Sequence, residues 1–396
     1  MPKIATKFLI PQFIFSHFSH HVCTGVLVPL LPLLREVFGL NYFQSGILIS
    51  AFGLSYGFGQ VPMAILADRF SRRLIIILGF FGISLAGICI SLTQDFRQMV
   101  PFLIIMGLLG GTYHAPASSF ISQVLPPEKR GQALGMHFTG GSASFFLTPA
   151  MALGIATLFD SWRPSFFILA LPALLAGTIL WLTTEEPQDE VVKQTEKNNP
   201  HDSTSDPAQI SWFQIIQSIG LLVSLAIFMN IVFASVNSYL PLYMVDHHNI
   251  SPRWAGIVVS VTAVAGIIGA PLGGALSDRF GRKQLILFSL SFSGPLFFAV
   301  TRSPFGILLL LSLLSYGLIM SIRMPTTESL IADVVPVGRR TTVLAIYFFL
   351  GMETAGIVTP VVGRLIDNFG LDPVFTGLAA SLCVVAGVAL LFRKYI

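Results

Sequence analysis

A chain of 396 residues that is 54% hydrophobic and only 11% charged does not fit a soluble globular domain, where about a quarter of residues are charged. Its net charge of +4 lies at the ends of apolar runs rather than on one face, which argues against nucleic acid as a partner. Cys23, Cys89 and Cys383 are scattered through apolar stretches, with neither a disulfide framework nor metal-site spacing.

A membrane-crossing helix needs about 20 mainly apolar residues. The sequence predicts twelve, at 8–32, 44–66, 74–93, 99–124, 132–157, 165–184, 212–242, 253–276, 284–302, 305–334, 342–366 and 374–392. Lys3 and Lys7 precede the first, with no small-residue cleavage pattern, so it is expected to be an uncleaved helix. Span 1 carries His17, His20 and His21; His17 and His21 are four residues apart and share a face. Span 2 has Gly53/Gly57 at the spacing of close helix contacts and runs into AILADRFSRR (64–73). Span 4 holds Tyr113, His114 and Pro116; span 5 holds Thr148-Pro149, with His137 placed nearer the cytoplasmic end. The segment 185–211 is polar, rich in Pro, Ser, Asn and acids, and lacks apolar periodicity, as a flexible linker does. Span 7 carries Asn230, and span 8 has Gly269/Gly273 and runs into GALSDRFGRK (274–283). Arg323 and Glu328 lie in span 10, Glu353 in span 11.

The two cassettes form a repeat. Asp68 and Asp278 lie 210 residues apart, about half the chain. His114-Ala-Pro116 corresponds to Arg323-Met-Pro325, and Thr148-Pro149 to Thr359-Pro360. The expected organisation is an N-terminal six-helix half (1–184), a cytoplasmic linker (185–211) and a C-terminal six-helix half (212–396), an all-α integral membrane protein of two parallel repeats. Lys and Arg concentrate in the 67–73, 125–131, 185–211, 277–283 and 335–341 loops and at both termini. The positive-inside rule then puts the termini and linker in the cytoplasm, and the expected location is the cytoplasmic (inner) membrane.

These motifs resemble those of the major facilitator superfamily over the whole chain. Gly274 to Lys283 matches that family's loop signature almost fully; the first copy has Ala64 and Ser71 where the signature has glycine. The resemblance implies that Asp68, Arg69, Arg72, Arg73, Asp278, Arg279, Arg282 and Lys283 form a conformational latch, and that spans 1, 4, 7 and 10 line a central cavity. SHFSHH followed by PLLPLLREVFGL, and GGTYHAPASS in span 4, are similar to the fosmidomycin-resistance type of drug exporter. The span 5 antiporter signature is partly present: Gly135 and Pro149 fit, while Ser144, Thr148, Ala152 and Leu153 replace glycines.

A charge at the bilayer centre costs about 2.5–3.5 kcal/mol, so Arg323, Glu328 and Glu353 are expected to face the bundle interior and to pair or engage solute. Imidazole suits proton exchange and hydrogen bonding to solute. The expected substrate-binding or proton-coupling set is therefore His17, His21, Tyr113, His114, Asn230, Arg323, Glu328 and Glu353. The function expected is secondary active transport of a small organic solute, a drug or metabolite, coupled to protons, with no cofactor, no resident metal and no enzymatic activity. Two alternatives stand: a transition-metal transporter using the span 1 and span 4 histidines, and a non-transporting solute sensor.

Overall fold

In lipid every backbone polar group needs an internal partner, which leaves the helix as the form these apolar runs can take. The computed structural model describes residues 6–124, 127–186, 212–335, 343, 346–347 and 349–392. Twelve of its helices are long and apolar enough to cross a membrane, from Phe8–Phe38 to Leu371–Leu391.

The first span comprises α1 (Thr6–Thr24) and α2 (Leu27–Phe38). The break falls where Pro29, lacking an N–H, cannot bond the carbonyl four residues back at Gly25. The span also runs past the expected end at residue 32. Leu30, Leu31 and Leu34 are buried, and the helix stops at Gly39, whose φ of 63° is a left-handed C-cap. After α3 (Tyr42–Arg69) and α4 (Arg72–Ser91), span 4 is likewise discontinuous, as α5 (Phe96–Gly110) and α6 (His114–Val124). Pro116 again removes a backbone donor at the break. Then come α7 (Pro127–Leu158) and α8 (Arg163–Thr183).

The second series opens with α9 (Trp212–Ile215), a π-turn at Ile216–Gly220 and α10 (Leu221–Asp246). It continues with α11 (Pro252–Val259), α12 (Val261–Phe280), α13 (Arg282–Arg302) and α14 (Ile307–Val334). A second π-turn, Phe349–Glu353, leads into α15 (Thr354–Phe369), and α16 (Leu371–Leu391) follows.

The chain divides into two compact units. One comprises Met1–Leu40, Ile47–Pro200 and Pro252–Ile257; the other Asn41–Gly46, His201–Ser251 and Val258–Ile396. In the first, α1 packs on α7 and α4 on α8. Contact between α1 and α7 is close because Gly140 and Gly141 present bare backbone: a Cβ on Gly140 would lie 2.1 Å from the Ile14 carbonyl oxygen. In the second, α12 packs on α14 and α13 on α16. There Gly273 abuts the Ile322 carbonyl, and Gly269 approaches Leu318 and Ser321, so the small-residue pair of span 8 is a packing seam. In span 2 the corresponding expectation shifts. Gly53 faces open space, and the close approach, to Leu108, is made by Gly59.

The two cassette loops turn by different means. Gly281 has φ 90°, a region that side chains rarely adopt, so glycine is required there. Ser71 is extended at φ −170° and uses its hydroxyl to cap α4, accepting from the Leu74 N–H at 2.9 Å. The Glu186 carboxylate completes this cap, accepting from the Arg72 and Arg73 N–H groups at 2.9 Å and from the Ser71 hydroxyl at 2.5 Å.

Candidate functional site

Among the described residues, a buried polar cluster forms in each unit. In the first, three helices converge: α1 supplies His17, His20 and His21, α6 begins at His114 directly after Tyr113, and α7 supplies His137. His17, His20, His137 and Tyr113 are almost fully buried; His21 and His114 are half-buried. The His17 ring lies 4.9 Å from that of His21, 5.1 Å from His114, and is stacked on His137 at 4.3 Å. His21 and His114 are 5.1 Å apart, and His20 stacks on Tyr113 at 4.9 Å.

Hydrogen bonds fix several of these rings. The His137 carbonyl can only accept, so His17 donates to it from Nδ1 at 3.0 Å and keeps its Nε2 lone pair. Tyr113 donates its hydroxyl proton to the Phe13 carbonyl at 3.3 Å, which leaves its oxygen to accept from His137 Nε2 at 3.0 Å. His20 Nε2 meets the Tyr56 hydroxyl at 3.3 Å. His17, His21 and His114 each offer a ring nitrogen within 4.8 Å of the others, the arrangement in this unit that could hold a metal ion.

Thus His17, His21, Tyr113 and His114 are brought together as expected. His20 and His137 join them. His137 is fully buried against His17, because the glycine seam of α7 lets α1 approach.

In the second unit Arg323 on α14 is 1% exposed. Its guanidinium donates to the Asn230 side-chain carbonyl oxygen and, at 3.2 Å, to the Tyr347 hydroxyl; Asn230 Nδ2 also bonds that hydroxyl at 3.3 Å. Among the described residues, the Nε–H of Arg323 is buried without an acceptor. The expected pairing with an acid is not what holds it: among the described residues no carboxylate forms an ion pair with Arg323, and both partners are neutral. Glu328 is half-buried on the same helix, five residues on, within electrostatic reach of Arg323 but not ion-paired with it. Glu353 closes the π-turn at Phe349–Glu353, but its side chain lies outside the described residues. That turn sets Gly351 against Asn230, where a Cβ would lie 2.9 Å from Asn230 Nδ2.

Tyr347 was not among the sequence candidates, since it sits in an apolar run. The repeat holds the signal that finds it: His137 and Tyr347 are 210 positions apart, as are His20 and Asn230 and the two cassette aspartates.

Of the cassette residues, Arg73 binds the end of α8, through the Trp181 carbonyl at 2.5 Å and the Thr184 hydroxyl at 3.3 Å. Arg282 ion-pairs with Asp333 and donates to the Ser329 carbonyl. Arg69 and Arg279 are exposed beside Phe70 and Phe280, and Arg72 and Lys283 are half-buried. The side chains of Asp68 and Asp278 lie outside the described residues, as does the segment 187–211 of the expected linker.

An all-α bundle of twelve membrane-crossing helices, with a duplicated loop signature and a buried polar cluster in each unit, defines a membrane transporter. The chain belongs to the Major Facilitator Superfamily, whose family model matches residues 13–352 and again 222–395. It is a multi-pass secondary transporter, a class distinct from enzymes. It is 26% identical over 302 residues to multidrug resistance protein MdtG of Yersinia enterocolitica, covering 72% of this chain and 69% of that one. It is 23% identical over 378 residues to the hexuronate transporter of Bacillus subtilis, covering 91% and 88%. Among solved structures, the fold matches a D-xylose-proton symporter with a TM-score of 0.80 at 19% identity, over 98% of this chain and 97% of that one. It also matches a bacterial homologue of the human lysosomal transporter Spinster, with a TM-score of 0.76 at 19% identity, over 100% and 97%.

Proposed function

We propose that this transporter moves a small organic solute bearing an anionic group, and that the histidine cluster couples the movement to protons. The observation that carries the reading is Arg323: a guanidinium buried to 1% exposure, held by two neutral partners, with its Nε–H unpaired among the described residues. Hydrogen bonds to a charged group contribute about 1.5–3 kcal/mol each. That offsets the roughly 2.5–3.5 kcal/mol cost of placing the charge in a membrane helix. It does not neutralise the charge, so the group stays oriented and ready for an anion. A relative named a hexuronate transporter supports an organic acid as cargo, and one named a multidrug resistance protein supports export.

In this reading Asn230 and Tyr347 orient the guanidinium, while Glu328 or Glu353 joins the histidines in proton coupling. His17, His21 and His114, with Tyr113, exchange protons, since imidazole changes charge near neutral pH. The halves 1–184 and 212–396, joined by the linker 185–211, alternate access by moving against one another. The cassette residues Asp68, Arg69, Arg72, Arg73, Asp278, Arg279, Arg282 and Lys283 latch one state. Both termini are cytoplasmic, by the distribution of basic residues.

The test is flux in proteoliposomes under an imposed pH gradient, across a panel of organic acids, cations and neutral drugs. Movement of an organic acid, lost in Arg323→Gln with the protein still folded by thermal unfolding, is the expected result. Unchanged kinetics in Arg323→Gln, or movement of cations alone, would overturn it.

A further inference from the structure

Within the histidine cluster, three rings differ from the other two. His20 and His137 have ring nitrogens engaged by the hydroxyls of Tyr56 and Tyr113. His17, His21 and His114 instead place one nitrogen each within 4.8 Å of the others. Two nitrogens on a tetrahedral ion, each about 2.0–2.1 Å from it, are about 3.3 Å apart.

His17 is already set as a ligand. Donation from its Nδ1 to the His137 carbonyl, at 3.0 Å, is the outer bond that orients a metal-binding imidazole and leaves Nε2 for the ion. The ring is gripped between His137, stacked at 4.3 Å, and Gly141, where a Cβ would fall 2.7 Å from Nε2. His21 and His114 are half-buried, so an ion has an approach. His17 and His21 come from one face of α1 and His114 from the first residue of α6. The three ligands thus converge from two helices, leaving a fourth coordination position open.

We propose that His17, His21 and His114 form a binding site for a divalent first-row transition-metal ion of the zinc, nickel or cobalt class. Imidazole nitrogens suit these ions, whereas magnesium and calcium require oxygen ligands, of which the set has none. Cys23 is not a fourth ligand: its Sγ donates to the Ile83 carbonyl at 3.5 Å, in the packing between helices. The site carries no carboxylate to balance the ion's charge, so the open position takes hydroxide or an anionic group. The proposal concerns binding alone: an ion at this site holds the three imidazoles neutral, so proton exchange by them belongs to the metal-free protein.

The experiment is calorimetric titration of the purified, tag-free full chain in detergent with zinc, nickel and magnesium chlorides, together with cobalt titration followed by visible absorption. The expected result is one zinc or nickel ion per chain, no magnesium binding, and a tetrahedral cobalt spectrum. His21→Ala and His114→Ala should each weaken zinc at least tenfold. Gly141→Ala, which pushes the His17 ring aside, should weaken it about 10–100-fold, the range for a lost orienting shell. The double variant His247→Ala/His248→Ala, at the only other clustered histidines among the described residues, should bind as the parent does. Absence of saturable zinc or nickel binding by the parent protein overturns the proposal without reference to any variant. So does binding that is lost in the His247/His248 variant and kept in the triad variants.

Discussion

The two units place different chemistry at corresponding positions of one duplicated plan. His20, His114 and His137 in the first answer to Asn230, Arg323 and Tyr347 in the second, at separations of 209 or 210 residues. In the first unit these rings belong to a packed set of imidazoles, with His20 and His114 5.4 Å apart. In the second, one guanidinium is bonded to both counterparts. At corresponding positions polar groups face the interior in both units, as a fixed charge in one and as imidazoles in the other. The cassette loops diverged in the same manner: one turns on a glycine at positive φ, the other on a capping serine.

The largest effect that would break this comparison is on the fixed charge. Asn230→Ala should leave Arg323 unoriented and lower uptake of an organic acid roughly tenfold or more, mainly as a raised KM; Tyr347→Phe, losing one hydrogen bond, should cost about three- to tenfold. Initial-rate flux measures both, and an Asn230→Ala protein with parental KM would remove the orienting role. Next comes the titrating side. His17→Gln with His21→Gln should abolish accumulation driven by a pH gradient while leaving solute exchange between equal pools, which needs no net proton movement. Loss of exchange as well would assign these residues to solute binding instead.

The loops give smaller, purely structural effects. Gly281→Ala should destabilise by about 1–3 kcal/mol, the cost of a side chain in a glycine-only region. Ser71→Ala should cost about 1 kcal/mol through the lost cap. Ser71→Gly should cost only a few tenths. Thermal unfolding in detergent ranks the three, and equal costs for Gly281→Ala and Ser71→Gly would erase the distinction between the turns. The smallest effect lies in the loop after α10, where burial first, and then the neighbouring His247, hold His248 below its ordinary value against the opposing pull of Asp372. A depressed histidine stabilises above its unfolded value of about 6.5 and loses that contribution as pH falls. His248→Gln should therefore flatten the acid side of the stability profile slightly, and an unchanged slope would show that this burial carries no linkage.

Much of the plan was legible because membranes impose a strict rule. Runs of apolar residues must be helices, so the spans emerged with errors only at ends such as 32 against Phe38. There Arg35 and Glu36 look like a boundary, while buried leucines carry the helix on to its cap at Gly39. The His17/His21 pair was legible from four-residue spacing, and Arg323 from the cost of its charge. Tyr347 and His137 were not. A tyrosine in an apolar run carries no signal of its own, and the depth of a histidine along a helix does not say which neighbour it meets.

By itself, then, the sequence determined the number of spans, the duplication and the residues that lipid would penalise, since these follow from transfer energies and local spacing. Tertiary structure decided the partners. It was the close approach of α1 to α7 over Gly140 and Gly141 that stacked His137 on His17, and the meeting of α10, α14 and the residue 347 segment that gave Arg323 neutral company. The His17–His137 and Asn230–Arg323 contacts join residues 120 and 93 positions apart, where no periodicity in the chain can anticipate which side chains will touch.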